Sequence, residues 1–313
     1  MYAMILILLA ILFGSGLYPT SELWAQSPPQ TTPTAFSEQQ LLKFAEQLMH
    51  EGEFFRAITE YRRFLFTYPT SPQQAFVHFR LGIALYRGQR YDEAFNTFQD
   101  LAQRYPNTRY AKQALLWQGE SLMRQSQYLA AEHAYREIST TAQNEEMRQQ
   151  AYYQLGWALL YQRQWHNASA QFQHVTTESN LYQAAQLLAT EVKKGQELPR
   201  KSPWVAGILS GLLPGSGQLY NGRTGDALLA FFLNALFVAG IVETINQNEL
   251  AIAGVLSFFE AGWYAGNLYG AINGAHKYNR HSTETFIRNL ENRFRVPPPQ
   301  AQGPIGLRFN FSF

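Results

Sequence analysis

Hydrophobic and polar positions alternate with helical spacing from residue 37 to residue 197, and the pattern repeats. Three columns of small and aromatic residues return every 37 residues through four copies. The columns are Ala45, Gly82, Gly119 and Gly156; Ala57, Ala94, Ala131 and Ala168; and Tyr61, Phe98, Tyr135 and Phe172. A fixed period of this length predicts four stacked helix pairs plus a closing helix, with the small residue placed where the two helices of a pair approach most closely.

The junctions between copies have their own signature. Tyr68-Pro69 and Tyr105-Pro106 each end a second helix, because proline cannot continue it, and Tyr91-Asp-Glu-Ala94 opens another. This pattern resembles the tetratricopeptide repeats of bacterial envelope proteins, such as those of the outer-membrane assembly lipoprotein and the Tol-Pal coordinator. The resemblance implies a helical scaffold that binds protein segments and has no chemistry of its own. The third and fourth copies lack the Tyr-Pro closure, so the resemblance does not identify the partner.

The first helices of such repeats line a concave groove. The predicted partner-binding positions are Phe79, Ile83, Tyr86, Glu120, Met123, Tyr153, Trp157 and Leu160. Large apolar and aromatic residues at these positions suit a peptide or a partner helix. The alternative is that they form the core of a short solenoid.

The composition changes abruptly after Pro203, and residues 203–275 read as a membrane domain with two to three helical spans. Ala227 to Ile245 and Leu250 to Ile272 are apolar runs of spanning length, joined by a four-residue polar turn. Trp204 to Leu213 is only half as long, so that it either completes a broken span or dips into the membrane and returns. The whole chain is therefore predicted to be all-α: a tetratricopeptide-like solenoid followed by a transmembrane helical hairpin.

A glycine-dense polar segment lies between the short apolar run and the hairpin. Its candidate residues are Pro214, Gly215, Gly217, Gln218, Tyr220, Asn221, Gly222, Arg223 and Asp226, of which Arg223 and Asp226 could pair. Irregular backbone cannot lie bare in lipid, so the segment must be covered by protein or lie at the interface. It resembles a Pro-Gly-x-Gly-Gln-x-Tyr-Asn motif of small bacterial membrane domains of uncharacterised function. A structural turn and a ligand or lipid site both fit it.

Two further features belong to the second predicted span. Glu260 is a carboxylate within an apolar run, where charge is costly and usually has a partner or a cavity. Gly262, Gly266, Gly270 and Gly274 recur every fourth residue and form a smooth strip on one helix face. The strip predicts close packing on the segment that carries Gly207 and Gly211, and the competing use is a homo-oligomer.

The two ends of the chain are distinct from the rest. Residues 1–25 have the outline of a signal peptide, with an uncleaved anchor as the alternative, and residues 26–36 form a flexible linker. Residues 276–296 are predicted as a basic amphipathic helix suited to an anionic membrane surface. Residues 297–313 form a Pro-rich tail that ends in a strand-like alternation.

The sidedness prediction follows from charge and from the number of crossings. Three crossings would place the basic region after Ala275 in the cytoplasm and the repeats in the periplasm, as a signal peptide requires. With two crossings, both basic flanks share one side. We expect three, in the inner membrane with periplasmic repeats; an outer-membrane location and cytoplasm-facing repeats are the alternatives.

Composition narrows the chemistry. The chain has no cysteine, and its net charge of +2 is too small to indicate nucleic-acid binding. The histidines are scattered without metal-ligand spacing, and no nucleophile-base set is apparent, so we expect no metal, no cofactor and no enzyme activity. The sequence predicts a membrane-anchored adaptor that binds protein partners in the cell envelope. The alternative is a small transport or lipid-handling module with the repeats as its regulatory arm.

Overall fold

A computed structural model describes residues 36–300, and every regular element in that range is a helix. The predicted all-α class is confirmed. The predicted signal peptide, nearly all of the predicted linker and the terminal strand lie outside the described residues.

Nine helices build the predicted solenoid. They are α1 (Glu38–His50), α2 (Phe54–Thr67), α3 (Gln74–Arg87), α4 (Tyr91–Arg104), α5 (Arg109–Arg124), α6 (Tyr128–Thr141), α7 (Glu145–Tyr161), α8 (Trp165–Gln173) and α9 (Tyr182–Glu191). The first eight form four antiparallel pairs, α9 closes the stack, and the 3-10 turn Val192–Gln196 follows it. Each helix packs on the next in the chain, and α3, α5 and α7 also contact one another in sequence.

The 37-residue columns form the contacts within each pair. A Cβ added at Gly82 would lie 2.4 Å from the ring of Phe98, and the equivalent glycines approach Tyr135 and Phe172 just as closely. These aromatic rings are fully buried. The small residue is required because the ring of the second helix occupies the space that a side chain would fill, so the columns set the spacing of each pair.

Four helices follow the solenoid: α10 (Pro203–Leu212), α11 (Ser216–Tyr220), α12 (Thr224–Asn246) and α13 (Leu250–Phe294). With 45 residues, α13 is about 68 Å long. The boundary predicted at Ala275, between a span and a separate amphipathic helix, lies inside this one helix. No proline interrupts the stretch, and the change from apolar to basic residues does not end a helix.

The short segment α10–α11 is a hairpin packed along α13. Lys201 exchanges two hydrogen bonds with Asn279, and Tyr264 donates to the carbonyl of Gly211 at 2.6 Å. The chain then reverses at Gly215, whose φ is +92°, and runs back along the same face of α13. At ten residues, α10 is about 15 Å long, half the thickness of a bilayer core. The chain folds back on itself here, which favours a returning segment over a third crossing.

The C-terminal helices leave much of their apolar surface uncovered. Only 11% of the most apolar stretch of α12 is buried, and α12 is the one helix within residues 36–300 that could cross a membrane by length and composition. The first half of α13, which we predicted as a second span, is less apolar than α12 but also exposes large side chains such as Phe258. Continuous exposed apolar surface of this kind marks a membrane or protein interface.

Candidate functional site

The predicted groove residues lie on α3, α5 and α7, but most of them are already used in packing. Phe79, Ile83 and Leu160 are fully buried in the two solenoid core clusters. Phe79 packs on Phe98 with the ring centroids 5.8 Å apart. For these positions the structure shows core residues rather than a contact surface. Four others, Tyr86, Glu120, Tyr153 and Trp157, also reach the concave side.

A segment of the same chain lies in this groove. Helix α13 ends at Phe294, the next residue has extended backbone with ψ of 115°, and the three prolines at 297–299 keep the chain from returning to helix. Residues 294–300, which we call the groove segment, then run across α7 and α5 toward α3. The repeats therefore hold an extended peptide of their own chain.

Side chains of the repeats donate hydrogen bonds to the backbone of the groove segment. Gln154 Nε2 donates to the carbonyl of Val296 at 2.9 Å, and Trp117 Nε1 donates to the carbonyl of Pro299 at 3.1 Å. The Tyr153 hydroxyl donates to the carbonyl of Phe294. Backbone carbonyls are common to every sequence, so these three donors can recognise an extended peptide largely independently of its side chains.

Two of the three donors, Trp117 and Gln154, belong to a repeat column that our sequence reasoning missed. Arg80, Trp117 and Gln154 are 37 residues apart, and each contacts the groove segment; Arg80 does so through the side chain of Gln300 at 3.5 Å. The column is hard to recognise in the sequence because its three residues differ in size and polarity. Its 37-residue period, and its position one residue after Phe79 and its equivalents, could have predicted that it faces the groove.

Arg295 anchors the segment in a buried pocket. Its guanidinium lies 2.5 Å from Glu120 Oε2 and 2.7 Å from Gln154 Oε1, and it stacks 5.3 Å from the ring centre of Trp157. The Glu120 side chain is fully buried, and that of Arg295 is 9% exposed. Burial alone would lower the pKa of Arg295, but the Glu120 carboxylate raises it, so the guanidinium remains charged.

The second oxygen of Glu120 is also occupied. Tyr86 donates its hydroxyl to Glu120 Oε1 at 2.9 Å, and Arg124 Nε lies 3.3 Å from the same oxygen. Burial and the neighbouring carboxylate raise the pKa of Tyr86, so its hydroxyl keeps its proton and donates. Glu120 is therefore a buried anion at the centre of the groove, and a cation must balance it.

The C-terminal half of α13 docks on the solenoid beside this pocket. Ile287 and Leu290 are buried in the core cluster of the last repeats, and Phe286 packs edge-on against Trp165 at 5.9 Å. The apolar face that we predicted for a membrane surface is covered by protein, and that interpretation is wrong. The basic side chains at Arg288 and His281 remain exposed.

The glycine-dense motif clamps the α10–α11 hairpin to α13. Gln218 Nε2 donates to the carbonyl of Asn267 at 3.0 Å, and Asn221 Nδ2 donates to that of Ala271 at 2.7 Å. Ser210 donates to Gln218 Oε1 at 2.8 Å. These polar side chains are buried, and each makes at least one hydrogen bond within the protein, which favours the structural turn over a ligand site; Asn221 Oδ1 has no partner among residues 36–300.

The rest of the motif shapes the hairpin and its edge. Pro214 and Gly215 form the reversal, Gly222 takes a φ of +82°, and Tyr220 accepts a hydrogen bond from the backbone of Ser202 at 3.0 Å. Arg223 and Asp226 form an ion pair of 2.6 Å at the surface.

The glycine strip of α13 is used at one end only. A Cβ added at Gly274 would lie 2.8 Å from the side chain of Asn221, and one added at Gly270 would lie 4.0 Å from that of Gln218. A Cβ added at Gly262 or Gly266 would meet nothing beyond its own helix backbone within 4 Å in the described structure. Helix α10 instead places its own Gly207 against Ile272. The open part of the strip leaves the homo-oligomer a prediction.

Glu260 lies apart from the motif, on the apolar half of α13. Its Oε2 atom is buried and has no hydrogen-bond partner among residues 36–300. No group of three or more metal-ligating side chains occurs in this same range.

We expect a side chain at Gly217, in the α10–α11 hairpin, to lower the stability of the protein strongly. A Cβ at Gly217 would lie 2.1 Å from the carbonyl oxygen of Ala206, a rigid backbone atom. Gly217→Ala should therefore destabilise the hairpin by about 2 kcal/mol or more. Gly225→Ala is the matched control, because a Cβ there meets nothing within 4 Å. Thermal unfolding of the two variants in detergent would test this, and equal midpoints would contradict it.

Comparisons with known proteins cover the repeats. The YfiO family, described as an outer membrane lipoprotein, matches residues 33–117, which include the first two repeats and half of α5. A solved tetratricopeptide repeat protein from Parabacteroides merdae is 14% identical, with a TM-score of 0.42 over 82% of this chain and 100% of that chain. No curated protein matches. The structure shows a helix-pair repeat protein, and its first two repeats are similar to an outer membrane lipoprotein family.

Proposed function

We propose that this chain is a membrane-anchored adaptor of the bacterial cell envelope, with no enzymatic activity, and that its repeats bind an extended segment of a protein partner. The observation that carries this proposal is the groove segment. Three repeat side chains donate to three of its backbone carbonyls, and a repeat groove can hold an extended peptide of a partner in the same way.

The anchoring part of the proposal rests on the exposed helices. The hairpin of α12 and the first half of α13 would cross the bilayer twice, with α10–α11 entering from the repeat side and returning. Trp204 and Leu212 on α10, and Leu236 on α12, expose most of their apolar surface and would face lipid. The polar motif would be shielded by α13, as backbone inside a membrane requires.

The compartment is proposed from three sources. The likeness of residues 33–117 to an outer membrane lipoprotein family favours the envelope. The predicted signal peptide would place the repeats in the periplasm, and apolar helices that stop in the inner membrane during export favour that membrane. The basic flanks on the repeat side instead favour the cytoplasm. We give precedence to the signal, and we propose periplasmic repeats.

In-cell cross-linking would test the adaptor function. Lys112 is exposed beside Pro299 at the edge of the groove, whereas Phe66 is 89% exposed on α2, outside it. A photoreactive amino acid at position 112 should give a discrete adduct with one envelope protein, identified by mass spectrometry, and one at position 66 should not. The same adducts at both positions would contradict the proposal.

The transport alternative can be separated in the same cells. Glu260→Gln and Arg223→Gln remove the two charges on which a transport module would depend, and neither residue lies in the groove. The adaptor is expected to keep its position-112 adduct in both variants. If either variant fails to replace the unaltered protein in cells that lack it, while the adduct still forms, the transport alternative is favoured.

A further inference from the structure

The groove segment is unusual in what it offers for recognition. Three of its seven residues, Pro297 to Pro299, are prolines, which have no backbone N–H, so this part of the segment presents carbonyls and no backbone donors. The groove matches this, because Trp117, Gln154 and Tyr153 all act as donors toward it. A residue other than proline at these positions would add a backbone N–H for which none of these three contacts provides an acceptor.

The pocket at Glu120 adds a second requirement. The carboxylate is fully buried, and its Oε2 atom is reached by Arg295. Arg124 contacts the other oxygen from a side chain that is 43% exposed. The buried guanidinium of Arg295 also contacts Gln154 Oε1, which is a second acceptor, and lies against the face of the Trp157 ring. Two acceptors in fork geometry beside an aromatic face suit a planar guanidinium better than a lysine ammonium.

The spacing of these features defines a ligand. The guanidinium enters at position 295, one residue intervenes, and three prolines follow, the last of which receives the bond from Trp117. Val296, between the arginine and the prolines, is 40% exposed, so its side chain contributes little to recognition. The groove thus fits an extended Arg-x-Pro-Pro-Pro segment, with specificity at the arginine and a sequence-independent hydrogen bond to the carbonyl of the last proline.

Building on the adaptor function above, we propose that residues 294–300 are a built-in occupant of the groove, and that the partner carries an arginine followed by a proline-rich extended segment that replaces it at Glu120. The groove segment continues directly from α13, the helix that also forms the membrane hairpin. Partner binding therefore competes with the contact that ties the membrane part to the repeats.

Peptide binding to the full-length chain in detergent would test this. The probe is a fluorescent peptide with the sequence of Phe294 to Gln300, and its Arg→Ala form is the matched control. Arg295→Ala should empty the pocket and bind the probe at least about tenfold more tightly than the unaltered chain, because the built-in competitor is lost. The Arg→Ala peptide should bind the Arg295→Ala chain at least about tenfold more weakly than the probe.

Two results would overturn the proposal. One is equal affinity of the probe for the Arg295→Ala and unaltered chains; the other is equal affinity of the two peptides for Arg295→Ala. The peptide pair keeps the test valid even if a groove variant folds poorly, because both peptides meet the same chain. If either equal-affinity result is found while the cross-linked adduct at position 112 still forms, this inference alone is refuted. Loss of that adduct would refute the adaptor function.

Discussion

Arg295→Met is expected to destabilise the folded chain by about 3 kcal/mol, because it leaves the buried Glu120 carboxylate with one cation fewer. The partner oxygen lies 2.5 Å from the guanidinium, and both side chains are almost fully buried. Arg124 keeps its contact with Glu120, which places the cost at the lower end of what breaking a buried ion pair entails. Arg288→Met, on the exposed face of α13, should change stability by less than about 0.5 kcal/mol.

A double-mutant cycle would show whether the pair itself is responsible. Glu120→Met alone should be strongly destabilising, because it buries Arg295 without its carboxylate. The double variant, Glu120→Met with Arg295→Met, should cost less than the sum of the two single changes. Chemical unfolding followed by tryptophan fluorescence is a suitable measurement, since Trp117 and Trp157 both contact the groove segment. Strictly additive costs would show that the two side chains do not stabilise one another.

The repeats could be predicted from the sequence because their determinants are local and periodic. Each pair depends on a small residue facing a ring, as at Gly82 and Phe98, and four copies average out the irregularities of any one. The continuity of α13 was also within reach. Nothing between Ile272 and Phe294 breaks a helix, and the predicted boundary reflected a change of polarity rather than of backbone.

The occupied groove could not be predicted in this way. Val296 and Gln154 are separated by more than a hundred residues, and the groove segment has no period that would mark its partner. A buried Glu120 requires a cation, and Arg124, one helical turn away, is the only one that local sequence spacing offers. The second cation, Arg295, reaches Glu120 only because the docking of α13 brings the chain back to the solenoid.

The hairpin of α10–α11 had two interpretations that the hydrophobic pattern fits equally well. A broken span and a returning segment have the same apolar residues. What separates them is the reversal at Gly215 and the bonds of Gln218 and Asn221 to the carbonyls of α13. Those two amides were the sequence signal, because buried amides need partners and a lone span offers none in lipid.

The contact between the groove segment and the repeats also fixes their relative sidedness. Trp117 and Gln154 touch the backbone of residues that follow α13, so both parts lie in one aqueous compartment. The chain must then cross any bilayer an even number of times between Lys201 and His276. The chain has no cysteine, so single-cysteine variants need no background removal.

Three such single-cysteine variants should show two patterns of labelling, with two positions accessible on the repeat side of the membrane and one on the other side. Gln143→Cys lies on the repeats, Asn292→Cys near the end of α13, and Gln247→Cys in the turn between α12 and α13; all three positions are exposed. In intact spheroplasts a membrane-impermeant maleimide should label positions 143 and 292 and leave position 247 unlabelled until detergent is added. The reverse pattern would place the repeats in the cytoplasm while preserving the shared side. Different accessibility of 143 and 292 would contradict the occupied groove itself, because a segment across the membrane cannot receive hydrogen bonds from Trp117 and Gln154.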